Sequence, residues 1–341
     1  MQVLIADPIK QTVLVIVPLV AALLLSLRRV TRKEAFPPDL TRELKGFAIL
    51  AVVFAHVGFG LASDLRYMQP LSFMGGVAVN VFLFLSGLGL ATSADKHELK
   101  PGEFYRRRFL PVLIPLWITL TALYLADRFI LHQSYPLAII AGSYAGFFPS
   151  AVLQTDLDSP LWYLTLLFSF YAAFSMLFVL AVRPLVGTTI WLYVFHGAAF
   201  PIGVIAAHLL THVPRKPLAT LVRPEIRAII VLVCAVIAAY TAVRSDVGQW
   251  DEQIVSMVTV LSLCGLFAFL PVRFALLDLF GAFAFEIYLF HWPLMYRYDI
   301  LFRVLSPAAA TLAYLGVFIA GGWLLQQCSA PLIKRWTGKG A

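Results

Sequence analysis

Long apolar runs alternate with short polar segments along the whole chain. A helix needs about 20 predominantly apolar residues to cross a hydrocarbon layer about 30 Å thick, and runs near that length recur from end to end. The pattern predicts eleven transmembrane helices, at residues 11–27, 46–62, 73–92, 110–131, 136–153, 161–182, 188–211, 228–243, 253–271, 276–296 and 308–327. The predicted fold class is therefore all-α, a polytopic transmembrane helix bundle.

Composition supports a membrane protein. Of the 341 residues, 61% are hydrophobic and 13% are charged, whereas a soluble domain carries about 25% charged residues. The first apolar run could be a signal peptide, but it has no small-residue cleavage site and is followed at once by Arg28 and Arg29. We expect it to be a retained helix.

The net charge of +8 is gathered in clusters beside the spans. The clusters are Arg28–Lys33, Lys96–Arg108, Arg215–Arg227 and Lys334–Lys339. The positive-inside rule explains them better than nucleic-acid binding does, so no nucleic-acid partner is expected. It predicts a multi-pass protein of the cell (inner) membrane with residues 94–109 and 212–227 in the cytoplasm, the N-terminus outside and the C-terminus inside.

The span at 136–153 is interrupted by Gly142, Gly146 and Pro149, and a re-entrant segment is the alternative. Without this crossing the basic stretch around Arg215 would face outside, so the span is kept. The predicted parts of the chain are an additional N-terminal transmembrane helix (1–30), a cytoplasmic basic linker (31–45), a membrane domain (46–331) and a cytoplasmic tail (332–341).

The first candidate for chemistry is His56. It follows Lys45 by eleven residues, and the residues between them are apolar or Gly. At about 1.5 Å per helical residue, His56 lies about 16 Å beyond Lys45, close to the membrane midplane. An ionisable group at that depth is costly, which indicates a functional group facing a bundle interior or a wet cavity.

A second cluster contains Glu286, Tyr288 and His291. Tyr288 and His291 are three residues apart and share a helix face, whereas Glu286 and His291 are five apart and do not. A buried histidine with a buried carboxylate nearby favours a functional role. His196, by contrast, is a lone histidine that we expect to hydrogen bond to a neighbouring helix.

Other polar residues have two interpretations. Asn80 and Ser86 fit close helix packing as well as a site. Arg107 and Arg108 lie before Pro111 and Pro115, which are expected to open a helix; topology alone explains these arginines, but guanidinium groups also suit donor phosphates. Trp162 fits an interfacial aromatic belt. Cys234, Cys264 and Cys328 show no metal-ligand spacing, so they are expected in the core and no metal is expected.

Five motifs then occur in order. They are Lys45 followed by His56, Val81–Gly87, Arg107–Arg108 ahead of Ile114–Pro115, Leu161–Leu164 and Ile287–Pro293. In this order the chain resembles the acyltransferase-3 family of integral membrane acyltransferases, from about residue 39 to residue 331.

The chain departs from the family pattern at several positions. Pro111 stands where members often have a second Arg, and Tyr163 and Leu167 stand where many have a Ser and a Glu. The helix before Arg28 is additional to the usual ten.

The resemblance implies transfer of an acyl group, most often acetyl, from cytoplasmic acyl-CoA to a hydroxyl of a glycan, glycolipid or other envelope molecule, as in polysaccharide O-acetylation. His56 is then either a general base or the acyl carrier, with His291 and Glu286 as further catalytic candidates. Lys45, Arg42, Arg107 and Arg108 are the donor-binding candidates, and the lipid bilayer is the surrounding partner.

Two other classes remain open. A transporter or flippase for an anionic or lipid-linked substrate could use the same buried groups as a proton relay, with broken helices paired between the two halves of the chain. No such pairing is seen. A non-catalytic scaffold would leave His56, Glu286 and His291 without a role.

Overall fold

The computed structural model describes most of the chain. The residues outside the description are 1–2, 31, 33, 35, 70, 95–100, 150–156, 158, 178–195, 212–220, 245–250 and 339–341. Within the described part, seven helices are long and apolar enough to cross a membrane, and two helices broken at Phe283 form one further candidate. The prediction of an all-α polytopic bundle is confirmed.

The elements follow one another in a nearly all-helical order. They are α1 (Pro8–Leu25), β1 (Leu27–Arg29), α2 (Pro38–Ala55), a π-helical turn (His56–Leu61), α3 (Gly75–Ala94), α4 (Pro101–Phe129), α5 (Leu137–Tyr144), α6 (Trp162–Leu177), α7 (Ala199–Thr211), α8 (Pro224–Arg244), α9 (Glu252–Phe269), β2 (Val272–Phe274), α10 (Ala275–Ala282), α11 (Ala284–Tyr296), α12 (Leu301–Val304) and α13 (Pro307–Thr337). The helix α2 begins at Pro38, so residues 38–45 are helical and not a linker. Likewise α13 continues through the expected tail to Thr337.

The chain forms two compact units, and each is described by itself. The first contains residues 1–96, 194–284 and 301–315, and the second contains residues 97–193, 285–300 and 316–341. His56 lies in the first unit, whereas Glu286 and His291 lie in the second.

One end of the first unit is organised by buried charge. The strands β1 and β2 pair antiparallel there, with Arg28 opposite Arg273. The fully buried Glu43 of α2 accepts a hydrogen bond from Arg32 (3.1 Å) and another from the backbone N–H of Phe274 (2.6 Å). A buried carboxylate is costly unless it is paired and hydrogen-bonded, so these bonds fix the beginning of α2 against the strand pair.

The helices of the first unit approach closely at glycines. A Cβ atom on Gly46 of α2 would overlap the carbonyl oxygen of Leu277 in α10, and one on Gly281 would overlap the carbonyl oxygen of Arg42. Two backbones can come this close only where both helices lack side chains at the crossing. Small residues at helix crossings are the usual means of association in lipid, where apolar burial gives little driving force.

The other end of the first unit is held by the N-terminal segment. The N–H of Val3 donates to Leu61 O (2.8 Å), and the N–H of Ser63 donates to Val3 O (3.0 Å). Thr12 Oγ1 of α1 accepts a bond from the N–H of Met68 (2.9 Å). Tyr67 lies outside the spans and bonds to Thr311 (2.8 Å), and burial raises its pKa to about 12. The additional helix therefore braces the segment that follows the π-helical turn.

The second unit contains a buried ion pair near the C-terminal end of α4. Asp127 is fully buried and pairs with Arg297 (2.8 Å). The hydroxyls of Tyr135 and Tyr298 donate to the same carboxylate at 2.5 and 2.7 Å. Burial raises the pKa of both tyrosines, which keeps them protonated as donors. These contacts join the end of α4 to the segments that follow α4 and α11.

The expected span at 136–153 is wrong as a continuous transmembrane helix. The helix α5 has only 8 residues, because the chain turns at Gly146, where φ is +78°. At about 1.5 Å per residue, α5 covers about 12 Å of a hydrocarbon layer that is about 30 Å thick. Its Tyr144 carbonyl accepts a bond from Trp117 in the middle of α4 (2.7 Å), so α5 folds back along α4.

The helix α6 also runs differently from the expectation. Alternate crossings at 110–131, 136–153 and 161–182 would make α6 parallel to α4. However, Phe168 and Tyr171 of α6 contact Phe109 near the start of α4, with ring centroids 4.8 and 5.9 Å away. The beginning of α6 instead lies beside Tyr288 of α11. Tyr288 precedes Arg297 by nine residues, and Arg297 pairs with Asp127 near the end of α4. The two helices are therefore antiparallel, and the link from α6 to α7 falls on residues 178–195, outside the described part.

We expect Gly46→Ala to destabilise the protein by about 1–3 kcal/mol, because the added methyl overlaps backbone atoms of α10 that have no room to move. Unfolding in detergent, followed by heat or denaturant, measures this loss. Gly316→Ala in α13 is the matched control, since its Cβ would meet nothing within 4 Å and Ala is the better helix former. Equal stability of the two variants would contradict the close crossing.

Candidate functional site

His56 lies where α2 changes from α-helix to π-helix. The α-helix runs from Pro38 to Ala55, and the π-helical turn runs from His56 to Leu61. Gly58 and Gly60 within the turn weaken the α-helical preference there. Short π-helical turns occur frequently at functional sites, because they change the direction of side chains within a helix. The imidazole is half-buried, whereas the Lys45 side chain on the same helix is exposed.

The π-helical turn is packed tightly by the segment that follows it. A Cβ on Gly58 would lie 2.6 Å from Ser72 Cβ and 3.1 Å from Tyr67 O. Just before the turn, a Cβ on Gly75 of α3 would lie 2.9 Å from Ala55 Cβ. The backbone that carries His56 is therefore held between α3 on one side and Tyr67 and Ser72 on the other.

The basic candidates near the start of α2 differ in their environment. Arg42 pairs with Asp278 of α10 at 2.8 Å, and about half of its side chain is exposed. A donor phosphate would have to compete with that carboxylate for Arg42. Lys45 is exposed three residues further along the helix. Because it precedes His56 by about three helical turns, the two residues lie on the same side of α2.

Arg107 and Arg108 lie inside a helix and not ahead of one. Because α4 begins at Pro101, both Pro111 and Pro115 are internal to it, so the expectation that they open the helix is wrong. Arg107 pairs with Glu103 one turn earlier in α4. Arg108 is half-buried and close enough to Tyr171 of α6 for an electrostatic interaction. Of the two, Arg108 is the one directed towards a neighbouring helix.

The second histidine candidate is fully buried in the second unit. His291 Nδ1 lies 2.9 Å from the carbonyl oxygen of Tyr288, which can only accept, so Nδ1 carries the proton and Nε2 is the basic nitrogen. The ring also contacts Phe318 edge to face at 6.3 Å between centroids. Glu286 is buried on the same helix, and the Tyr288 hydroxyl donates to Pro160 O.

The candidate Asn80 belongs to a buried polar cluster of the first unit, whose other members are not predicted from the sequence as site candidates. Asn80 donates to Ser256 Oγ (2.7 Å) and accepts from His196 Nδ1 (2.8 Å), so His196 bonds to a neighbouring helix as expected. Glu252 is buried at the start of α9, beside Gly76. The sequence did carry one signal, the spacing: Glu252 and Ser256 are one turn apart, as are Gly76 and Asn80. Ser86 of α3 and Trp162 of α6 are both half-buried.

Among the described residues, no group of three or more His, Cys, Asp or Glu side chains could hold a metal ion. The three cysteines are not disulfide-bonded: Cys264 is buried as expected, Cys234 is half-buried, and Cys328 is exposed, so the expectation of a core position is wrong for Cys328.

The acyltransferase-3 family model, described as an acyltransferase domain, matches residues 44–270. The match includes Lys45, His56, Asn80 and the arginines of α4, and it ends before Glu286 and His291. Searches of curated proteins and of solved structures found no significant match. Since the family model covers more than half of the chain, this protein belongs to the acyltransferase-3 family.

Proposed function

We propose that this membrane acyltransferase moves an acyl group, acetyl in the first instance, from cytoplasmic acyl-CoA to a hydroxyl of a glycan, glycolipid or other envelope molecule. The observation that carries the proposal is the half-buried His56 at the start of a π-helical turn, eleven residues beyond an exposed Lys45 on the same helix. Family membership favours an enzyme over a transporter.

His56 supports two chemical routes that start from the same reactants and give the same products, the acylated acceptor and free CoA. As a general base, the imidazole takes the proton of the acceptor hydroxyl while the oxygen attacks the thioester carbonyl; the C–S bond breaks and the CoA thiolate is protonated. As a carrier, the imidazole attacks the thioester carbonyl first, so that an N–acyl bond forms, the C–S bond breaks and CoA leaves as the thiol with the ring proton. The acceptor hydroxyl then attacks the acyl carbon, the N–acyl bond breaks and the hydroxyl proton passes to the ring. Both routes require the imidazole to face the reactants.

The donor phosphates need cationic partners at the cytoplasmic boundary. Each unit offers its own candidates: Lys45 and Arg42 in the first, and Arg108 and Arg107 in the second. Arg42 and Arg107 can contribute if they exchange Asp278 and Glu103 for phosphate. His291 and Glu286 are proposed as additional catalytic groups of the second unit, with Nε2 of His291 able to accept a proton.

The proposed orientation places the strand-pair end of the first unit in the cytoplasm, because Arg28, Arg29 and Arg32 lie there. In a cysteine-free background, Leu65→Cys should react with a membrane-impermeant maleimide added to intact cells. Tyr105→Cys should react only after permeabilisation; both side chains are exposed. Labelling of position 105 from outside would contradict the orientation. The companion position 220 lies outside the described residues.

We expect His56→Ala to lower the rate of acyl transfer by about 10² to 10⁴ if His56 is a general base, and by more if it carries the acyl group. Donor affinity should stay near the wild-type value, because the proposed phosphate contacts lie at the boundary. Transfer of labelled acetyl from acetyl-CoA by purified protein measures the rate. His208→Ala, at an exposed histidine of α7, is the control. Wild-type specific activity of folded His56→Ala would refute the assignment.

Replacing Arg107 and Arg108 together with Ala should weaken acyl-CoA binding by about 1.5–3 kcal/mol for each charge-assisted bond that is lost. Arg108→Ala alone should account for most of the loss, since Arg107 already pairs with Glu103. Calorimetry or filter binding measures the affinity, with Arg128→Ala at the far end of α4 as control. Unchanged affinity in the folded double variant would leave these arginines a purely topological role.

A further inference from the structure

The cluster around Asn80 connects three helices of the first unit. Its members are His196 ahead of α7, Asn80 of α3, and Ser256 and Glu252 of α9. All four side chains are at most 3% exposed. Because the Asn80 amide oxygen can only accept, His196 Nδ1 donates to it, and the amide nitrogen donates to Ser256 Oγ. Each hydrogen bond thus joins a different helix to α3.

Two members of the cluster, Glu252 and His196, approach the backbone of α3 at Gly76. A Cβ there would lie 2.6 Å from Glu252 Oε1 and 3.7 Å from His196 Cε1. Gly76 is the second residue of α3, which continues directly from a 3₁₀-helical turn at Leu71–Met74, so the Glu252 carboxylate lies beside the first turn of α3.

The neighbouring glycine links this cluster to His56. Gly75 lies against Ala55, since a Cβ on Gly75 would be 2.9 Å from Ala55 Cβ, and Ala55 directly precedes His56. The start of α3 is therefore in contact with the Glu252 carboxylate through Gly76 and with the helix that carries His56 through Gly75. A movement of this end of α3 would be transmitted to the beginning of the π-helical turn.

Packing alone does not require these side chains. Ionisable and polar groups buried within a helix bundle are costly in a membrane, and apolar side chains would fill the same space. Hydrogen-bonded groups differ from apolar packing in that they fix one arrangement of the helices. What they fix here is the part of α3 that touches the backbone before His56.

We propose that Asn80, His196, Ser256 and Glu252 are positioning residues for His56. By holding the start of α3 in one place between α9 and α2, they set the position of the imidazole relative to the reactants. This inference rests on the proposed role of His56 in acyl transfer. A displacement of about 1 Å in a reacting group can lower a rate about 10²-fold, so a small shift of α3 suffices to change activity.

The test compares two variants of α3, each of which adds one methyl group by a Gly→Ala substitution. Gly76→Ala places a methyl against Glu252 Oε1, whereas Gly89→Ala places one where nothing lies within 4 Å. We expect Gly76→Ala to lower kcat about 10- to 100-fold with the Kd for acetyl-CoA unchanged, and Gly89→Ala to behave as wild type. Glu252→Asp withdraws the carboxylate by one methylene, so it should restore part of the activity when it is combined with Gly76→Ala.

A second readout does not depend on activity. In protein with ¹³C-labelled histidine, the ring signal of His56, assigned by its loss in His56→Gln, should shift in Gly76→Ala and not in Gly89→Ala. If Gly76→Ala fails to fold, Ser256→Ala replaces it: this variant adds no bulk and should move the same signal and lower kcat.

The outcomes separate the two proposals. An unmoved His56 signal together with kcat equal to that of Gly89→Ala would overturn the positioning role. If the His56 signal shifts in Gly76→Ala but the wild-type protein transfers no acyl group, the contact is supported and the proposed function is refuted instead. Loss of activity in proportion to loss of folded protein, with the His56 signal unmoved, would reduce the cluster to a structural one.

Discussion

The structure of the first unit depends on how closely its helix backbones approach one another. In lipid, apolar burial gives little driving force for helix association, so packing and buried hydrogen bonds must supply it. Glycines permit this at three crossings: Gly46 and Gly281 between α2 and α10, Gly87 and Gly203 between α3 and α7, and Gly75 beside α2. At each of these crossings, the missing side chain of the glycine lets atoms of the neighbouring helix come into direct contact with the glycine backbone. The environment of His56 is a consequence of these contacts, because α2 and α3 meet at the residue before it.

Features encoded by local pattern could be predicted from the sequence. Hydrophobic length revealed most of the spans, and an imidazole deep in an apolar run identified His56 as a candidate before its surroundings were known. The sequence predicts a span from residue 46 after a basic linker, whereas the helix α2 begins eight residues earlier, at Pro38. Tertiary pairing explains the error: Arg42 is neutralised by Asp278, which is remote in sequence, and Glu43 is matched by Arg32 and the backbone of Phe274. In the cluster around Asn80, the sequence indicates Asn80 itself as a candidate, whereas its partners on other helices could not be predicted for the same reason.

The misassigned span shows the limit of charge arguments. Only the side assigned to the basic stretch around Arg215 favours a crossing at residues 136–153, since their own pattern does not predict a long helix. The local signals, Gly142, Gly146 and Pro149, indicated a break, and the chain does turn at Gly146. A charge rule constrains only whether the number of crossings between two loops is odd or even. It does not say which apolar segments make them, whereas helix length and breakers act at the segment itself.

The two histidine candidates also differ in a way that residue type alone does not reveal. His291 is fully buried, has Nδ1 bonded to the carbonyl of Tyr288 and has its ring against Phe318. His56 is half-buried at a π-helical turn, within the part of the chain that matches the family model. A group that transfers a proton or an acyl group must reach its substrate within hydrogen-bonding distance, and only a ring with an accessible edge can do so without a rearrangement of its neighbours. The difference in burial therefore favours His56 for direct contact with the reactants and His291 for a supporting role in its own unit.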